Sequence, residues 1–164
     1  MNIIFLDIDG VLNAEDDFGQ GKNNPHIGHN RGISTSKVKL LKEIVDASNA
    51  SIVLVSSWKK RYVKYLNNKE DEVGEYLFNK LNEVGLSIYD TTSRYDYDDG
   101  KSRGVEIALW LIDHKSEVDK YIVLDDDERI DYKKFDVLSH LVKTSPLTGL
   151  TKEVANQSIK FLSE

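Results

Sequence analysis

The chain contains no cysteine. Disulfide staples, thiolate zinc sites and cysteine nucleophiles are therefore excluded. It is also short of positive charge: 22 Lys and Arg stand against 28 Asp and Glu, for a net charge of −6. A large non-specific nucleic-acid surface needs many cationic phosphate contacts, so this balance argues against one while leaving room for a local basic patch. No apolar run approaches the length of a membrane span. The first residues lack a basic leader and put Asp7 and Asp9 where a signal peptide would be apolar, so a cytoplasmic protein is expected. No internal repeat or linker interrupts the 164 residues, which suit one domain over 1–164 with a sizeable core.

What is present begins at once. Asn2 to Asn13 reads as a short β-branched apolar strand that ends in Asp7, Asp9 and Gly10. Two carboxylates at i and i+2 past a strand end are costly to bury without a partner. They point most simply to a site holding a divalent cation with oxygen ligands, a polar Asp-Gly turn being the alternative. Gly10 lets the backbone turn sharply and approach a ligand.

The remaining pattern alternates strands and helices. Ala14 to Gly32 is a polar loop holding His26 and His29, expected to be solvated, and is a candidate lid. A helix follows from caps at Ser34–Ser36 to about Ser48, then a strand over Ser51 to Val55 that ends in Ser56-Ser57-Trp58. Lys59, Lys60, Arg61 and Lys64 read as a solvated helix face, with a phosphate cradle as the alternative. Trp58 is expected to pack, or to stack on a base. The helical pattern breaks near Asn67-Asn68, resumes over Glu70 to Val84 and stops at Gly85. A strand is expected over Leu86 to Tyr89, a second lid candidate over Asp90 to Gly100, and a helix over Ser102 to His114 with Trp110 in the core. Further strands fall at Tyr121 to Leu124, before Asp125-Asp126-Asp127, and at His140 to Lys143. Thr151 caps the last helix.

This order implies an α/β, Rossmann-like three-layer sandwich with a mostly parallel five-stranded sheet and a minimal cap. Ligands of such sheets bind past the carboxyl ends of the strands. Asp7 and Asp9, Ser56 and Ser57, and Asp125 to Asp127 would then share one edge. A chance turn residue explains one such cluster but not three.

These residues resemble the haloacid dehalogenase-like (HAD) hydrolases, most of which are magnesium-dependent phosphatases. Phe5-Leu6-Asp7-Ile8-Asp9-Gly10-Val11-Leu12 is similar to the first HAD motif, Val53-Leu54-Val55-Ser56 to the second, and Val123-Leu124-Asp125-Asp126 to the fourth. A basic residue at the start of the Ser102–His114 helix would be the third. Arg103 to Trp110, the Leu-Asp-Asp-Asp run and the terminal Thr-Gly-Leu-Thr narrow the resemblance to small HAD domains associated with RNA-repair proteins. A fainter similarity reaches the 3′-phosphatase domain of phage polynucleotide kinase.

The resemblance implies that Asp7 is a nucleophile toward phosphorus and Asp9 a general acid and base. It implies Mg²⁺ held by Asp7, the backbone carbonyl of Asp9 and an acid of the fourth cluster, with Asp126 favoured as direct ligand and Asp125 beside or behind it. Asp127 reads as a turn residue. Ser56, or Ser57 in the alternative register, would bond a phosphoryl oxygen. Arg103 or Lys101 would supply the third-motif cation, Arg103 being favoured because its fork grips two oxygens. The expected partner is a phosphorylated substrate: a nucleic-acid end, a nucleotide or a metabolite. A non-catalytic HAD-fold binding protein is the competing class.

Overall fold

A computed structural model of the chain describes residues 1–17, 26–93 and 102–164. Among the described residues five strands and five α-helices follow in the order β1 (Asn2–Leu6), α1 (Thr35–Ser48), β2 (Ala50–Leu54), α2 (Lys59–Asn68), α3 (Glu72–Asn82), β3 (Ile88–Thr91), α4 (Arg103–Asp113), β4 (Lys120–Asp125), β5 (Leu141–Lys143) and α5 (Lys152–Ser163). The strands form one sheet in the order β3-β2-β1-β4-β5, and all four pairings are parallel. The expected mostly parallel sheet is thus wholly parallel.

Strand alternation sorts the core into two layers. Ile4 and Leu6, Ile52 and Leu54, and Ile122 and Leu124 face a large layer built with α1, α2, α3 and α5. Ile3 and Phe5, Val53 and Val55, and Val123 face a smaller layer with Ile107 and Trp110 of α4 and with Tyr132 and Val137. The Trp110 ring meets Phe5 edge-on at 5.4 Å, as its expected core role requires.

Two element boundaries shift for local reasons. The third strand begins at Ile88 rather than Leu86, because the Leu86 amide bonds back to the Leu81 carbonyl at 3.0 Å and completes the α3 terminus. Gly85 supplies the left-handed turn there (φ +76°). The strand then runs on through Asp90 and Thr91, which takes both from the expected loop. His140 lies in a 3-10 turn ahead of β5 and stacks on Tyr121 at 3.8 Å. No helix among the described residues is long and apolar enough to cross a membrane.

Of the candidate lids, 18–25 and 94–100 lie outside the described residues, as does Lys101. The start of the first lid is fixed. Glu15 and Asp16 donate backbone N–H groups to the Pro146 and Leu147 carbonyls, and Asp17 pairs with the buried Lys37 at 2.7 Å.

Candidate active site

Register brings the acids together. Leu6 pairs with Leu124, and the Asp7 amide continues the ladder by donating to the Leu124 carbonyl at 2.9 Å. Asp7 therefore stands beside Asp125 and, by the same alternation, on the α4 side of the sheet. Asp7, Asp125 and Asp126 each offer a carboxylate oxygen, all within 4.8 Å of one another. This is the only metal-capable cluster of acids or histidines among the described residues, and it excludes His26 and His29, both exposed.

Arg103 opens α4 and reaches into this cluster. Its Nη1 donates to Asp7 Oδ2 at 2.8 Å and to Asp125 Oδ2 at 2.7 Å. The start of α4 is held by the loop after β4: Asp131 accepts from the Val105 amide at 3.0 Å, where Ser102 gives no side-chain cap. Gly104 permits that approach, since a Cβ there would fall 2.8 Å from the Asp131 carboxyl carbon.

The charges are unevenly compensated. Burial pushes the Asp7 carboxyl up, and Arg103 opposes it. Burial acts on Asp125 in the same direction, but Arg103, the Tyr132 hydroxyl and Arg129 outweigh it and hold that carboxyl low. Tyr132 donates to Asp125 Oδ2 at 2.6 Å. Asp126 is pushed up to about 6 by burial and then by the charges of Asp7 and Asp125. Asp7 and Asp126 are thus both raised, and a cation beside them would favour their charged forms. Three converging oxygen donors fit a hard divalent ion such as Mg²⁺.

Gly10 acts through what it lacks. Its φ is +74°, and a Cβ there would lie 2.2 Å from Asp126 Oδ2. Its N–H donates to Asn13 Oδ1 at 3.0 Å and its carbonyl accepts from Thr144 at 2.7 Å. Asp126 therefore lies directly against the Gly10 backbone. Asp9 stands outside the acid cluster, exposed, with Oδ1 bonded by Asn13 at 2.9 Å and Oδ2 by the Trp58 indole at 3.0 Å.

A cavity of about 520 Å³ lies over these groups, lined by Asp7, Asp9, Ser57, Arg103, Asp126, Asp127, Arg129 and Pro146. Ser57 is exposed on its wall. Ser56 is fully buried; its Oγ accepts from the Trp58 amide at 3.2 Å and keeps its own proton to donate. Asp127 is mostly exposed and sits 3.5 Å from Arg129.

In the basic run Lys60, Arg61 and Lys64 are exposed, as a solvated helix face requires, and Lys59 alone departs from that reading. Lys59 is buried rather than solvated; its Nζ bonds Thr92 Oγ1 at 3.0 Å and pairs with Glu106. Arg61 and Lys64 turn to Asp71, at 2.6 and 3.8 Å, rather than forming a cradle. Sequence reasoning also missed Arg129 and Tyr132. Arg129 lies 3.4 Å from Asp125 and 3.5 Å from Asp7. Outside a helix, its spacing from Asp125 carried no signal.

A parallel sheet whose carboxyl edge carries an Asp-x-Asp-Gly turn, a second acidic pair and a bridging arginine defines a HAD-type hydrolase domain. The family model for the HAD domain in Swiss Army Knife RNA repair proteins matches residues 3–155, and the chain belongs to that family. Comparison with curated proteins and with solved structures gave no match.

Proposed function

We propose that the protein is a Mg²⁺-dependent phosphatase that cleaves a phosphate monoester through an aspartyl-phosphate on Asp7. The observation that carries this reading is Arg103 Nη1 bridging Asp7 and Asp125 at 2.8 and 2.7 Å beneath the cavity. A guanidinium there opposes the burial that raises Asp7, helps to hold Asp125 low, and offers its remaining N–H groups to phosphoryl oxygens.

An oxygen of Asp7 attacks phosphorus, and the bond from phosphorus to the leaving oxygen breaks. Asp9 gives its proton to that oxygen and the alcohol departs. Asp9 then takes a proton from water as the water oxygen attacks phosphorus. The bond to Asp7 breaks and inorganic phosphate leaves. Ser56, Ser57, Arg103 and Arg129 hold the non-bridging oxygens. Asp7, Asp126, Asp125 and the Asp9 carbonyl would hold Mg²⁺, which supplies charge neutralisation between acids and phosphate.

The substrate we favour is a phosphorylated polynucleotide end. The family's occurrence in RNA repair proteins and the second cation, Arg129, support it. The test is phosphate release, with and without Mg²⁺, from a 3′-phosphorylated oligonucleotide, mononucleotides, sugar phosphates and p-nitrophenyl phosphate. Preference for the oligonucleotide is expected, and preference for a small ester moves the substrate to the metabolite class. Asp7→Asn is expected to lose roughly 10⁴-fold or more in turnover while keeping its circular dichroism spectrum. Near-normal turnover in that variant rules out the covalent route.

A further inference from the structure

We propose that Trp58, which belongs to none of the four motifs, is a positioning residue for the acid and base Asp9. This rests on the phosphatase reading above.

Trp58 is 2% exposed and packs in the larger core layer with Tyr62 and Leu54. A buried indole needs an acceptor for its N–H, and many would serve. The acceptor here is Asp9 Oδ2, at 3.0 Å. The other oxygen, Oδ1, receives Asn13 Nδ2 at 2.9 Å. An exposed aspartate is ordinarily free to rotate about two torsions. This one is gripped at both oxygens by donors that are themselves fixed. The Trp58 amide bonds Ser56 Oγ at 3.2 Å, and its carbonyl accepts from the Tyr62 amide at 2.9 Å. Asn13 is held by the Gly10 amide at 3.0 Å and by the Arg31 carbonyl at 3.1 Å.

Each carboxylate oxygen has a second lone pair, so the grip leaves Asp9 able to carry and deliver a proton. What the grip removes is wandering. An acid must meet the leaving oxygen as its bond to phosphorus breaks, and misplacement by about 1 Å can cost 10²-fold in rate. The Ser-Ser-Trp turn after β2 therefore has two duties: its serines stand by the phosphoryl group and its tryptophan aims the acid.

General-acid help matters most when the leaving oxygen is basic. Phenyl phosphate and p-nitrophenyl phosphate share a ring but differ in this respect. Trp58→Phe keeps an aromatic ring in the core and removes the N–H together with part of the indole's volume. The expected result is a loss of about 10- to 100-fold in kcat for phenyl phosphate. The loss for p-nitrophenyl phosphate is several-fold smaller, and KM is unchanged for both. Asn13→Asp keeps the acceptor for Gly10 and turns the other donor into a repelling oxygen. It gives the same preferential loss if aiming Asp9 governs the acid step; Trp58→Phe, with kinetics read well below its own melting temperature, assigns the share of Trp58. Equal losses on the two esters, or a loss confined to KM, reduce Trp58 to a packing residue and overturn the proposal. Wild-type protein that hydrolyses neither ester overturns the phosphatase reading, and this proposal with it.

Discussion

The two faces of the sheet hold their helices by different means. On the larger face, α1, α3 and α5 close over a continuous apolar layer, with Leu41, Ile44 and Leu77 wholly buried. On the other, α4 has a smaller apolar patch and is tied down by polar bonds. Glu106 meets Lys59 and Thr92, Asp131 meets the Val105 amide, and the Trp110 indole donates to Asp90 at 2.6 Å. The second face is also the one that delivers Arg103, Arg129 and Tyr132 to Asp7 and Asp125. Apolar contact is non-directional and supplies stability, whereas hydrogen bonds fix direction. The helix that carries Arg103 to the acid pair is the one held by several directional bonds.

Changes to each face should therefore fail differently. The largest effect is expected from Lys59→Met, which removes the cation from beside the buried Glu106 carboxylate. Urea titration should show a loss of roughly 3–5 kcal/mol, largely recovered in Lys59→Met/Glu106→Leu. Turnover should fall in both variants, because Glu106 sits one turn after Arg103. Leu41→Ala comes next, at about 2–5 kcal/mol, with kcat measured well below the melting temperature close to wild type. A comparable fall in kcat there would dissolve the contrast between the faces.

The smallest effect is expected at Asp71, which caps α3 through the Val73 and Gly74 amides at 3.1 and 3.0 Å. Asp71→Ala should cost about 1 kcal/mol near neutral pH. Burial would raise this carboxyl, but the Gly74 amide and Arg61 hold it below the usual value. A depressed acid contributes its stability above the unfolded pKa, about 4, and loses it as pH falls through the folded value. The gap between wild type and variant should thus close below about pH 4. A gap that persists there would mean that the cap acts without its charge.

Much of this architecture was legible because it is periodic. β1, β2 and β4 show short apolar runs, and their polar ends mark one edge of a parallel sheet. Asp7, Asp9, Asp125 and Asp126 were visible for that reason, and Arg103 because it starts a helix. Arg129 and Tyr132 were not. They lie in an irregular stretch with no repeat, and reach Asp125 only because the chain folds back over the strand end. Lys59 was misread because charge outweighed position: it shares the buried stripe of α2 with Tyr62, one turn on. The bond from Trp58 to Asp9 joins residues far apart in sequence, and residue type alone carries no sign of it.

The pairing of Leu6 with Leu124 has a further consequence for how this chain acquires its chemistry. The acids come from opposite ends of the sequence and meet only when β1 and β4 have closed in register. A slip of one residue would turn either acid to the wrong side. A chain in which β1 and β4 have not paired lacks the Asp7, Asp125 and Asp126 cluster. On the proposed reading, a cation or phosphate held by these acids would draw the folding equilibrium toward the paired state by mass action.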